Sequence, residues 1–173
     1  SRCDVTEDEY IEMIRLKTAV LLAGSLKIGA ILAGATAEDA ENLYNFGMHI
    51  GVAFQLQDDL LDVYGDPEVF GKKIGGDILC NKKTYMLIKA LEHADEKQQE
   101  ELNRWLNAET FQPAEKIKAV TEIYNQLNIR NVCENKMREY YTLAMESLAA
   151  VAVAEDRKKE LKNLVKLLMY REM

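Results

Sequence analysis

Residues 54–66 read FQLQDDLLDVYGD. Apolar residues recur in this stretch at helical spacing, yet Asp58, Asp59 and Asp62 sit within two turns of Gly65, the residue that should end the helix. Carboxylates are unfavourable at a helix C-terminus, where the macrodipole is already negative. Asp58 and Asp62 are one turn apart on one face, the spacing at which like charges repel. At roughly 6 Å and an effective dielectric of about 20 the repulsion is on the order of 2–3 kcal/mol before solvent screening. A local rule broken this way marks a solvated surface or a site built around a cation.

Working outward from this stretch, the pattern is helical almost throughout. Thr6 with Glu9 has the form of a capping box, and Val5 with Tyr10 is placed for a hydrophobic staple. From there one long apolar helix is expected to run to about Ala33 and stop at Gly34. Thr36 with Asp39 opens a second, which carries the aspartates and ends near Gly65. Gly47, Gly51 and Ala53 leave room on it for a neighbouring helix. Between Gly65 and Lys83 periodicity disappears, and GDPEVFGKKIGGDILCNKK reads as a loop. Helical stripes resume at Met86–Ala94 and at Leu102, Trp105 and Leu106. Another runs from Pro113 through Ile117, Val120, Tyr124 and Leu127. Met137, Tyr141, Ala144, Leu148 and Val151 mark the next, and Leu161, Leu164, Val165 and Leu168 the last. No linker or repeat divides residues 1–173, so the expectation is an all-α fold with a single domain.

The 173 residues are 48% hydrophobic and 29% charged, ordinary for a globular domain with a substantial core. A net charge of −7 argues against a nucleic-acid partner. Cys3, Cys80 and Cys133 are odd in number and lack CxxC spacing, which suggests reduced thiols in a cytoplasmic protein. Ala19 to Ala37 carries a single charge, Lys27, but its glycines and Ser25 favour a buried helix over stable membrane insertion. The chain opens at Ser1 without an initiator methionine or a leader, as a trimmed chain or a piece of a longer one would.

Gln55, Asp58 and Asp62 fall at i, i+3 and i+7, with Asp59 beside them, so an amide and two carboxylates share a face. Oxygen-only ligands of this kind suit Mg²⁺, with Mn²⁺ a possible substitute; magnesium takes one or two carboxylates, several waters and substrate phosphates. From His49 to Tyr64 these aspartates are the only acidic or basic side chains apart from the histidine. The other faces of the helix are therefore buried, and the polar stripe faces a cleft. Lys17 and Thr18 interrupt an apolar run, and Lys72, Lys73, Lys82 and Lys83 lie in the glycine-rich loop, where lysine and backbone N–H groups suit phosphate. Each lysine singly is explained as well by solvation; together with the carboxylates they describe a magnesium–diphosphate site. His49 and His93 have no partner at ligand spacing and read as structural, and GKKIGGD lacks the spacing of a P-loop.

In this order the motifs resemble the trans-isoprenyl diphosphate synthases, the polyprenyl synthetase family. FQLQDDLLDVYGD is similar to that family's second aspartate-rich motif, Leu16–Thr18 to its Lys-Thr pair, and GKKIGGDILCNKKT to its GK…GxD…K segment. The resemblance implies the C-terminal portion of an isoprenoid-synthase-type helical bundle and a trans-prenyltransferase. Such an enzyme condenses an allylic prenyl diphosphate with isopentenyl diphosphate, giving a farnesyl- or geranylgeranyl-type product. It implies that Asp58, Asp59 and Asp62 bind magnesium, that Lys17, Lys72 and Lys82 hold the diphosphate with Thr18 and Gln55, and that Phe54 lies near the condensing isoprene units. Lys17, Asp58 and Lys72 would carry the catalysis. A homodimer is usual in the family.

The family's first aspartate-rich motif and its paired arginines have no counterpart in these 173 residues. The expectation is that this chain supplies one wall of a cleft and does not condense substrates alone. A class I terpene cyclase is an alternative, although its second metal motif would place Ser or Thr at Asp62 and Glu at Asp66. A non-catalytic partner subunit of a prenyl synthase is another, although such subunits tend to lose the residues retained here.

Overall fold

The computed structural model describes residues 5–66 and 74–169, and among them every regular element is helical. The helices are α1 (Glu7–Ile14), α2 (Val20–Leu32), α3 (Ala37–Tyr64), α4 (Gly76–Leu79), α5 (Tyr85–His93), α6 (Glu96–Asn107), α7 (Pro113–Gln126), α8 (Ile129–Ala150) and α9 (Lys159–Met169). A π-helical segment, Arg15–Ala19, joins α1 to α2, and a 3₁₀ turn, Glu155–Lys158, precedes α9.

The starts and stops follow local chemistry. Glu9 N–H donates to Thr6 Oγ1 (3.2 Å) and Thr6 N–H to Glu9 Oε2 (3.0 Å), the expected capping box. Gly34, at φ +79°, ends α2; the bond from Ala35 N–H to the Ala30 carbonyl closes the turn. Thr36 Oγ1 accepts from Asp39 N–H (3.1 Å) at the start of α3, and Pro113 stands at the first turn of α7. A second capping box, Asp95 with Gln98, opens α6; it is visible as D-x-x-Q once sought.

Three expectations are refined. The first helical run reaches Leu32 as expected, but a π segment inserts a wider turn at Arg15–Ala19. The stretch from Gly65 to Lys83 is not all loop, since Gly76–Leu79 forms one helical turn. Leu164, assigned to a buried stripe, is 47% exposed, and Val165 takes the core position.

The chain divides into two compact units. One holds the described residues to Tyr10 together with Asp58–Glu134; the other holds Ile11–Gln57 and the described residues from Asn135 onward. In the second unit Phe46 and Ile50 of α3, Ala144 and Leu148 of α8 and Val165 of α9 form a buried cluster. There the π segment and α2 lie very close to α3: a Cβ on Gly51 would fall 2.6 Å from Ala19 Cα, and one on Gly47 would fall 2.8 Å from Ala23 Cα. No helix among the described residues is long and apolar enough to cross a membrane.

Candidate active site

The last two turns of α3 sort the three aspartates by direction. Asp58 and Asp62 are half-buried and one turn apart, whereas Asp59, about 100° further round the helix, is completely buried. Asp59 Oδ2 accepts from the hydroxyl of Tyr10, itself 1% exposed, and Asp59 Oδ1 lies 2.9 Å from Lys82 Nζ. Lys82 also reaches Asp77 Oδ2 at 2.7 Å. Asp62 Oδ2 accepts from the backbone N–H of Asp77 (2.8 Å), and the Asp62 carbonyl accepts from Gly75 N–H (2.6 Å).

The paired glycines explain how the turn comes this close. Gly75 has φ +84°, and a Cβ there would sit 2.6 Å from the Ile117 side chain. A Cβ on Gly76 would fall 3.3 Å from Asp62 Oδ1. Any larger residue would push the Asp77 amide off the Asp62 carboxylate. The glycine-rich segment and the aspartate-rich helix end, separate in sequence, thus form one cluster. Lys72 and Lys73 of that segment lie outside the described residues.

Among the described residues, charge in the cluster is unbalanced: the ammonium of Lys82 lies among three carboxylates, Asp59, Asp62 and Asp77. Burial pushes Asp59 above the usual carboxylate range, opposed by its bonds from Tyr10 and Lys82; burial also pushes Asp62 up. For Lys82 burial favours the neutral amine, but Asp77 and Asp59 together outweigh it and hold the proton more tightly. Asp58 has no hydrogen bond or ion pair among the described residues, and Asp62 has one oxygen not used by the Asp77 amide. A hard cation taking one or two carboxylates fits this donor set and relieves the imbalance. Among the described residues no three His, Cys, Asp or Glu side chains form a self-sufficient metal site, so water or ligand oxygens would have to complete the shell.

The other unit carries the Lys-Thr pair. Thr18 Oγ1 donates to Gln55 Oε1 at 3.3 Å, so these two residues, 37 positions apart, are brought together. Lys17 is exposed and Phe54 half-buried. Lys17 and Thr18 lie within the π segment, a deformation often found at functional positions. His49 packs beside Tyr140, and burial lowers its proton affinity.

Sequence reasoning did not single out Tyr10 or Asp77. Tyr10 was visible only as an apolar staple residue; its hydroxyl becomes a partner of Asp59 through tertiary contact alone.

Comparison with known proteins bears on the same residues. A family model described as Polyprenyl synthetase matches residues 1–126. The short chain isoprenyl diphosphate synthase of Methanothermobacter thermautotrophicus is 50% identical over 101 residues, 58% of this chain and 31% of that protein. A (2E,6E)-farnesyl diphosphate synthase of Mycobacterium tuberculosis is 34% identical over 175 residues, 99% of this chain and 48% of that one. Among solved structures, a geranylgeranyl pyrophosphate synthase superposes with a TM-score of 0.91 at 36% identity, covering 100% of this chain and 54% of the other. The Corynebacterium glutamicum geranylgeranyl pyrophosphate synthase, complexed with isoprenyl diphosphate and magnesium, gives 0.84 at 30% identity, covering 95% of this chain and 47% of that one. The chain spans about half, or less, of the length of the curated relatives it matches.

Proposed function

Because the chain belongs to the polyprenyl synthetase family, we propose that it forms the second aspartate-rich side of a trans-prenyltransferase. The reaction joins an allylic prenyl diphosphate to isopentenyl diphosphate and gives a short-chain trans-prenyl diphosphate. The observation that carries this reading is the cluster in which Lys82 is pinned between Asp59 and Asp77 while Asp58 keeps its carboxylate uncommitted among the described residues. Structures of relatives with isoprenyl diphosphate and magnesium or calcium support it by analogy.

Each residue has a part in this reading. Asp58 and Asp62 would hold magnesium; Asp59, expected as a third ligand, is turned toward Tyr10 and Lys82 and in this reading fixes Lys82 and lends negative charge from behind. Magnesium, when bound, neutralises charge developing on the departing diphosphate. Lys17, Lys72 and Lys82 oppose that charge directly, and Gln55 donates its amide N–H to a diphosphate oxygen, with Thr18 either orienting it through Oε1 or turning its one hydroxyl proton to the diphosphate. The C–O bond to diphosphate breaks with its electron pair leaving on oxygen. The isopentenyl double bond then forms the new C–C bond, and loss of one proton restores neutrality. Phe54 lies beside the isoprene units. The enzyme acts in the cytoplasm as a homodimer, and this chain alone, lacking a first aspartate-rich motif, does not turn over.

Titration calorimetry with an allylic bisphosphonate tests the reading. Expected is binding that requires Mg²⁺ and weakens at least about tenfold in Asp58→Ala. Magnesium-independent binding, or equal binding by the variant, overturns it. Turnover of geranyl and isopentenyl diphosphates by the 173-residue chain would overturn the claim that it is inactive alone.

A further inference from the structure

Lys116 lies in the first turn of α7 and is 0% exposed. Its Nζ is 2.6 Å from Asn81 Oδ1 and 4.3 Å from the centre of the Phe111 ring. Among the described residues no carboxylate pairs with it. Burying an ammonium against one amide oxygen and a ring face costs stability that an apolar side chain of similar size would not. Burial accordingly pulls its proton affinity below the usual lysine range. A residue this unfavourable for the fold calls for another use.

Asn81 supplies it. Its backbone is left-handed, at φ +52°, a conformation that most side chains resist and asparagine tolerates best when its amide is hydrogen-bonded. Both ends of its amide are engaged: Nδ2 donates to the Leu106 carbonyl (2.9 Å) near the end of α6, and Oδ1 accepts from Lys116. The turn is completed by bonds from Asn81 N–H to Ile78 O (3.2 Å) and from Lys82 N–H to Asp77 O (3.0 Å). The next residue is Lys82. Asp77, Lys82, Asn81 and Lys116 line a common cavity of about 10 Å³, room for at most one water. Lys116 therefore cannot receive a phosphate itself; it reaches the cluster only through Asn81.

We infer that Lys116 is a positioning residue: its ammonium, held between the Phe111 ring and Asn81 Oδ1, locks the left-handed Asn81 turn and so sets the direction in which Lys82 presents its charge. This rests on the proposed role of Lys82 toward a diphosphate and adds a specific residue behind it.

The test is Lys116→Met, read by thermal melting, backbone NMR and calorimetry with inorganic pyrophosphate and Mg²⁺. Expected is a folded protein melting at or above the wild-type temperature, displaced amide resonances at residues 81–83, and affinity reduced about tenfold. Placed on Lys82→Ala, the same substitution should cause no further loss. Asn81→Ala, which cuts the clamp from its other end, should reproduce the binding loss and serves if Lys116→Met does not fold. Wild-type affinity in both variants, or an undiminished extra loss on Lys82→Ala, overturns the inference. A wild-type chain that does not bind pyrophosphate removes the proposed function instead. The resonances of residues 81–83 in Lys116→Met then decide alone: displacement supports positioning, and unmoved signals overturn it.

Discussion

Asp58 and Asp59 are neighbours in the chain with opposite surroundings, and substitution should separate their roles. Replacing Asp59 by Ala leaves the buried Tyr10 hydroxyl without its acceptor and opens a small void. A loss of about 1–3 kcal/mol is expected, the cost of an unsatisfied buried group. Asp59→Asn keeps an acceptor and the shape, so it should lose less. Asp58→Ala touches no partner among the described residues and should shift stability by no more than about 0.5 kcal/mol, with its effect confined to magnesium-dependent binding. Urea melts of the three variants check the ranking; equal losses for Asp58→Ala and Asp59→Ala would remove the distinction. That Asp58 and Asp62 share a face is legible from spacing alone, because the helix repeat fixes which residues lie one turn apart. The burial of Asp59 is not, since it depends on Tyr10 and Lys82, which lie 49 and 23 positions away.

Helix α3 meets α2 through missing side chains, and two glycine substitutions should act in opposite directions. In Gly51→Ala the new methyl meets Ala19 Cα at 2.6 Å, backbone that cannot swing aside. Overpacking should cost about 1–3 kcal/mol. Gly29, within α2, is exposed with nothing within 4 Å of its Cβ position, so Gly29→Ala should gain up to about 1 kcal/mol from helix propensity alone. Thermal melts of both proteins test the pair, and stabilisation by Gly51→Ala would sink the close-packing account. The outer face of α2 is apolar, with Leu21 79% and Leu32 83% exposed. Converting both to Glu should leave the melting temperature nearly unchanged while reducing binding of a hydrophobic dye. Small residues at Gly47 and Gly51 announce close approach in the sequence, and helix stops at Gly34 and Gly65 are equally plain. The π segment is not, because RLKTA has the same periodicity as its flanks. The Asn81 turn is only half advertised: asparagine tolerates the left-handed region, but its bonds to Leu106 and Lys116 come from residues 25 and 35 positions away.

At the scale of the molecule, stability at high pH should be governed by one unit. Tyr10, Tyr64 and Tyr124 all belong to the unit containing Asp58–Glu134. Burial raises the phenol of each; Asp59 raises Tyr10 further, and Tyr64 is pushed up to about 12 despite Arg130 nearby. Lys89 adds to the same trend, since its pairs with Glu7 and Glu92 outweigh burial and hold its proton more tightly than in an unfolded chain. The sign follows from proton counting. Below pH 10 folded and unfolded chains both keep their tyrosine protons, and these groups give no slope. Above it the unfolded chain releases protons that the folded one retains, so stability falls as pH rises. The slope is about 1.4 kcal/mol per pH unit for each of the fully buried pair, Tyr10 and Tyr124, until the native values are reached. These three should therefore ionise only as the fold opens. Tyrosinate absorbance followed with far-UV ellipticity should show a cooperative step at high pH that coincides with loss of helix. Ionisation of every tyrosine with ellipticity unchanged would mean that the Tyr10–Asp59 contact does not exist in solution. The aspartate cluster would then lose the partner that turns Asp59 inward.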